Sequence, residues 1–100
     1  MLCALTVRTL KSGAEEDFRQ AFGPGEDMEP PPGWKRFVAL RNVTDENEII
    51  TFGYFDGTLE ELRENQERND YDERRAEAEQ FVDSVGTDGI FEVVEERTMQ

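Results

Sequence analysis

The residues of this chain that could do chemistry gather around one glycine. Gly53 stands between Phe52 and Tyr54 in a strand-like run, where a missing side chain weakens the strand and often marks a bulge or a close approach by another group. If its face looks toward the helices, the vacancy is bordered by Arg36, Thr51 and Phe55, while Tyr71 and Arg75 overhang it from a later helical segment. Trp34 opens the opposite strand and could stack on whatever lies there. An aromatic-lined space with a cation suits a small planar anion or a phenol. The same residues have a plainer use, since a mid-strand glycine also serves tight packing and a tryptophan opening a strand is a natural core or interface anchor. Both readings stand.

Other chemistry is narrowed by what the chain lacks. It contains no histidine, which removes the Ser–His and Cys–His pairs, the common zinc sites and a histidine-ligated haem. Glu92, Glu95 and Glu96 could form a paired-carboxylate site, but charge on a last strand equally protects a solvated edge. Carboxylates alone would favour magnesium or calcium, and the chain has no D-x-D-x-D-G loop. No metal and no cofactor is expected.

Elements must position these side chains. Residues 2–10, LCALTVRTL, read as a strand with apolar groups on both faces: Cys3, Leu5 and Val7 alternate with Leu2, Ala4 and Thr6. Ser12 and Glu15 have capping-box spacing, and Ala14, Phe18, Ala21 and Phe22 form the stripe of a short helix. Residues 23–33, GPGEDMEPPPG, form a stiff connector, with Met28 placed to act as a lid over a cleft. Thr58 and Glu61 form a second capping box, followed by one kinked helix or two helices at 58–68 and 71–84, ended by Gly86. Residues 89–97, GIFEVVEER, supply the last strand.

Between these lies a hairpin, residues 34–55. A four-residue loop at 44–47 would set Phe37, Ala39 and Arg41 opposite Tyr54, Phe52 and Ile50, with Arg36, Val38 and Leu40 opposite Phe55, Gly53 and Thr51. A slip of one residue exchanges the faces. The order β-α-β-β-α-β predicts an α+β, ferredoxin-like fold: four antiparallel strands with the helices on one face. The helices can roof one side only, so a second copy is expected on the other, with Phe37, Ala39, Ile50, Phe52 and Tyr54 at a homodimer interface.

Bulk properties agree with a single domain over residues 1–100. Such a chain hides roughly 60–70% of its unfolded surface, and pairing would add burial. Its net charge of −13 repels phosphate backbones and anionic lipid, which excludes nucleic acid and membranes as expected partners. Two lysines against nine arginines fit either high-salt adaptation or a GC-rich genome. The lone Cys3 has no intramolecular disulfide partner, and neither a signal pattern nor an apolar run of membrane-spanning length is present, which fits a cytoplasmic location.

From Pro32-Gly33-Trp34 through the hairpin to Tyr54-Phe55-Asp56 and Thr58-Leu59-Glu60-Glu61-Leu62, the chain resembles the dimeric α/β-barrel superfamily, in particular its antibiotic biosynthesis monooxygenase-like group. The resemblance implies a pocket between helices and sheet. It also implies cofactor-independent oxygenation of a small aromatic or phenolic molecule. The haem-degrading branch carries asparagine, tryptophan and histidine where this chain has Val7, Phe55 and no histidine, so haem degradation is not implied. The cofactor-free oxygenases use an Asn/Trp/Arg set, for which Trp34, Arg36 and Asn42 supply the residue types.

Two functions remain open on the sequence. One is an oxygenase that excludes water and holds a substrate anion against arginine. The other is a non-catalytic small-molecule-binding or assembly module of the same fold.

Overall fold

The computed structural model describes residues 1–22, 32–68 and 71–99, all but the side chain of Tyr71. Met28 and most of the proline-rich connector lie outside the described residues, as do Asn69 and Asp70. The element order is β1 (Leu2–Leu10), α1 (Glu15–Phe22), β2 (Trp34–Asn42), β3 (Asp45–Phe55), α2 (Leu59–Arg68), α3 (Tyr71–Glu79) and β4 (Val82–Glu92). The strands form one antiparallel sheet in the order β2-β3-β1-β4. This is the expected ferredoxin-like α+β arrangement. None of the described helices is long and apolar enough to cross a membrane.

One face of the sheet is roofed. Leu10 and Ile49 join Phe18 and Phe22 of α1 and Ala78 of α3 in the buried core, and Ala21, Phe81 and Val82 pack against it. Leu62 anchors α2 and is fully buried. The Thr58–Glu61 box forms as its spacing predicts: Thr58 N donates to Glu61 Oε1 at 3.1 Å and Glu61 N donates to Thr58 Oγ1 at 3.1 Å. The Ser12–Glu15 box does not. The first turn of α1 closes on Ala14, whose carbonyl accepts from Phe18 N at 2.9 Å, and Glu15 takes two hydrogen bonds from Arg41 Nη1 instead, at 3.0 and 2.7 Å.

The hairpin register differs from the expected one by a single residue. Asn42 pairs with Asp45, and its Oδ1 accepts from both Thr44 N (2.8 Å) and Thr44 Oγ1 (2.9 Å). That side-chain turn tightens the connection to Val43 and Thr44. The ladder is irregular just beyond this turn, where the partner jumps from Asp45, opposite Asn42, to Ile49, opposite Arg41, and that jump sets Phe37, Val38, Ala39 and Leu40 opposite Gly53, Phe52, Thr51 and Ile50. Phe37 and Ala39 share the helix-side face with Gly53 and Thr51, while Arg36 sits opposite Tyr54 on the open face. The faces of β2 are thus exchanged relative to expectation. The faces of β3 are not.

The last strand also begins earlier than expected. Phe81 N still bonds to Ala78 O, but Phe81 O accepts from Lys11 N at 2.9 Å and starts the pairing with β1. Phe81 and Val82, whose spacing from Ala78 mimics a continuing helix, reach the core from the turn before β4 and from its first residue instead. Gly86 lies inside β4 where its register with β1 shifts, and residues 93–99 form no regular element.

The open face carries Cys3, Leu5 and Val7 of β1 beside Ile50, Phe52 and Tyr54 of β3. Leu40 and Phe91 on the same face are 45% and 46% exposed. No described helix covers this layer of apolar side chains.

Candidate functional site

The vacancy beside Gly53 is filled by the protein itself. The register of β2 shifts between Trp34 and Arg36, which turns Trp34 to the helix side opposite Phe55. Its indole lies over Gly53 so closely that a Cβ there would fall 2.9 Å from Trp34 Cζ3. Trp34 Nε1 donates to Asn65 Oδ1 of α2 at 2.8 Å, and Asn65 Nδ2 donates to Pro32 O at 3.1 Å. The ring of Phe55 tilts against the indole at a centroid distance of 5.1 Å. Gly33, with φ of +94°, and Gly57 both pack on the Phe55 ring, where neither has room for a side chain. This end of the sheet is closed packing.

The unusual chemistry lies toward the other end, at Arg8. It extends the line Leu2–Ala4–Thr6 on the helix-side face, and it is only 1% exposed. An arginine keeps its charge at any physiological pH, and burying it costs heavily unless its donors are satisfied. Here they are satisfied only in part. Nη1 donates to Thr51 Oγ1 at 3.0 Å, and the guanidinium carbon sits 4.6 Å and 5.3 Å from the ring centroids of Phe22 and Phe18. Those rings stack with each other at 5.5 Å, so two π faces stabilise the cation. Glu79 Oε1 approaches Nε at 3.5 Å, too far for a good hydrogen bond. Nε and Nη2 are buried and make no hydrogen bond.

Arg8 belongs to a ring of polar groups. Thr6 Oγ1 donates to Asp88 Oδ1 at 3.1 Å, and Asp88 Oδ2 accepts from Arg75 Nη2. Arg75 Nε reaches the same Glu79 oxygen at 3.4 Å that Arg8 approaches. The ring closes because Thr6 and Thr51 are direct partners across β1 and β3, both 5% exposed. Two arginines and two carboxylates balance in charge. Burial pushes the Asp88 carboxyl up, but the hydrogen bond and charge of Arg75, the Thr6 hydroxyl and the charge of Arg8 outweigh it and hold Asp88 below the usual range.

Of the residues the sequence singled out, Trp34, Gly53 and Phe55 come together, while Thr51 and Arg75 belong to the Arg8 ring. Arg36 faces away with Tyr54, and the side chain of Tyr71 is not among those described. Asn42 is committed to its turn and to Glu48 Oε1, so Trp34, Arg36 and Asn42 do not converge. Val7 lies on the open face opposite Ile50. Glu92 ends β4 and Glu95 pairs with Arg97 at 2.6 Å. Among the described residues no cluster of acidic or sulfur ligands could hold a metal ion. Arg8 and Glu79 were not singled out by the sequence, although Arg8 continues an inward-facing alternation ending in Leu10.

No family model matches the chain, and no curated protein matches it either. Its fold does have solved counterparts. A candidate antibiotic biosynthesis monooxygenase from Deinococcus radiodurans superposes with a TM-score of 0.78 at 9% identity, covering 100% of this chain and 99% of that one. A protein of the same description from Chloroflexus aurantiacus gives 0.75 at 11% identity, with 99% and 98% covered. A mutant form of SnoaB, a cofactor-independent oxygenase from Streptomyces nogalater, gives 0.68 at 13% identity, with 95% and 94% covered. At such identities the likeness is one of fold: an antibiotic biosynthesis monooxygenase-like architecture over nearly the full chain.

Proposed function

We propose that this chain, built on the fold of those oxygenases, is a monooxygenase-like protein that binds a small aromatic anion, such as a phenolate or aromatic carboxylate, between its helices and sheet. The supporting observation is Arg8, a buried cation with two donor nitrogens left without hydrogen bonds and two phenylalanine rings beside it. A cation so placed stabilises negative charge on a bound ring, and on an electron-rich substrate it would stabilise the anion that reacts with oxygen directly. Phe18 and Phe22 supply apolar walls that exclude water. The substrate set proposed around Gly53 moves accordingly: Arg8, Thr51 and Arg75 take the polar role, and Trp34 closes the far end.

The protein works as a homodimer in this reading, with the open sheet face meeting its copy through Ile50, Phe52 and Tyr54. Oxygen uptake with a panel of hydroquinones and naphthols is the direct test. Consumption above the buffer rate that is lost in Arg8→Met supports oxygenation; no consumption across the panel removes it. A non-catalytic binding or assembly role is the second reading. It is favoured by the indole of Trp34, which occupies the Gly53 space and is tied there by Asn65.

A further inference from the structure

Three features have no part in the proposed chemistry: the bare sheet face, the positive-φ turn at Gly33 and the shared carboxylate of Glu79. The first is the dimer surface already proposed, and the second is local packing. Glu79 carries more.

Among the described groups that touch Arg8, Thr51, Phe18 and Phe22 are all buried. Glu79 is different, for its side chain is 33% exposed. Glu79 thus offers a side on which a ligand can approach Arg8 from solvent. Its contact with Arg8 is loose, an ion pair at 3.5 Å without a hydrogen bond. It stands at the last residue of α3 and accepts from Arg75 Nε at a long 3.4 Å. Arg75 would keep its bond to Asp88 if Glu79 left.

Charge makes the same point. Asp88, Arg75, Glu79 and Arg8 sum to zero, so an anion arriving beside Arg8 would add an uncompensated negative charge unless Glu79 moved out. We infer that Glu79 is a built-in competitor: its carboxylate occupies the anion position at Arg8 in the free protein and is displaced into solvent by a small aromatic carboxylate or phenolate. This rests on the proposed anion site at Arg8 and adds its regulation. Affinity is then held down by the protein's own side chain, and exchange of one carboxylate for another sets the ligand class.

The test is a fluorescence titration of the full chain with 1-hydroxy-2-naphthoate, and with neutral 1-naphthol as control, in wild type and in Glu79→Gln. The amide keeps the shape of Glu79 and removes its charge. Binding of the naphthoate should tighten roughly tenfold in the variant, the scale of a typical site-to-site coupling, while 1-naphthol is unchanged. Wild-type binding that stays equal or weakens in Glu79→Gln, or a variant that tightens equally for the neutral control, overturns the competitor role and leaves the Arg8 site standing. Naphthoate binding to neither protein overturns the Arg8 site and the competitor with it.

Discussion

Trp34 lies across Gly53, its Cζ3 2.9 Å from where a Cβ would stand. The indole cannot readily retreat, because Asn65 holds its Nε1 and Phe55 lies against its ring. Gly53→Ala should therefore destabilise the fold by about 1–3 kcal/mol, the usual cost of overpacking a filled site. Gly33→Ala should cost more, since it adds a left-handed φ of +94° to an overlap with the Phe55 ring. Denaturant midpoints of the two variants check the order.

A buried arginine whose Nη1 alone is hydrogen-bonded, with Nε and Nη2 unsatisfied, is a poor stabiliser. Replacing such a group with an apolar side chain of similar size is often neutral or favourable by about 1–4 kcal/mol. Arg8→Met should accordingly keep or raise the melting temperature while abolishing naphthoate binding. Glu79 retains Arg75 at 3.4 Å, so the variant does not strand a carboxylate. A large loss of stability would mean that Arg8 is held for the fold alone.

Asp88 gives a dependence on pH. Its carboxyl is held below the usual range in the folded chain, with burial opposing and Arg75, Thr6 and Arg8 favouring the charged form. The unfolded state thus binds the proton more readily, and the stability contributed by this group is present above its ordinary value, about 3.9, and lost as pH falls through the lowered one. Asp88→Asn should flatten that acid limb. The comparison is between wild type and variant at each pH, because protonating a chain of net charge −13 also relieves repulsion.

The proposed dimer has its own variant. Light scattering should give two copies of the 11.5 kDa chain. Phe52→Asp places a carboxylate on the open face beside Tyr54, whose ring lies 5.7 Å from that of Phe52. Closing an apolar interface over that charge would cost several kcal/mol, so the variant should run as a monomer or unfold. A wild-type chain that stays monomeric at all concentrations, with Leu40 and Phe91 open to water, would remove the dimer.

How far the sequence carried these conclusions depended on how local each signal was. Thr58 and Glu61 are three residues apart and satisfy each other, so their box could be read directly. The faces of β3 followed from its alternation, but those of β2 turned on an irregularity beside the turn, where Asn42 pairs with Asp45 and Arg41 with Ile49, and nothing in the apolar pattern reveals that. Gly86 looked like a helix stop because Ala78, Phe81 and Val82 keep helical spacing, yet the pull of Lys11 on the Phe81 carbonyl starts a strand. Arg8 was the least legible. Its burial is made by Phe18, Phe22, Thr51 and Glu79, which come from three other elements, and only the folded chain brings them to one point.

Whether Arg8 receives a ligand's negative charge is tested most directly by a crystal structure with 1-hydroxy-2-naphthoate. It should show the carboxylate or phenolate oxygen within hydrogen-bonding distance of Arg8 Nη2, with Glu79 turned out to solvent and Trp34 unmoved over Gly53. A ligand seated on the open sheet face, or one that displaces Trp34 and leaves Arg8 and Glu79 in place, would contradict it.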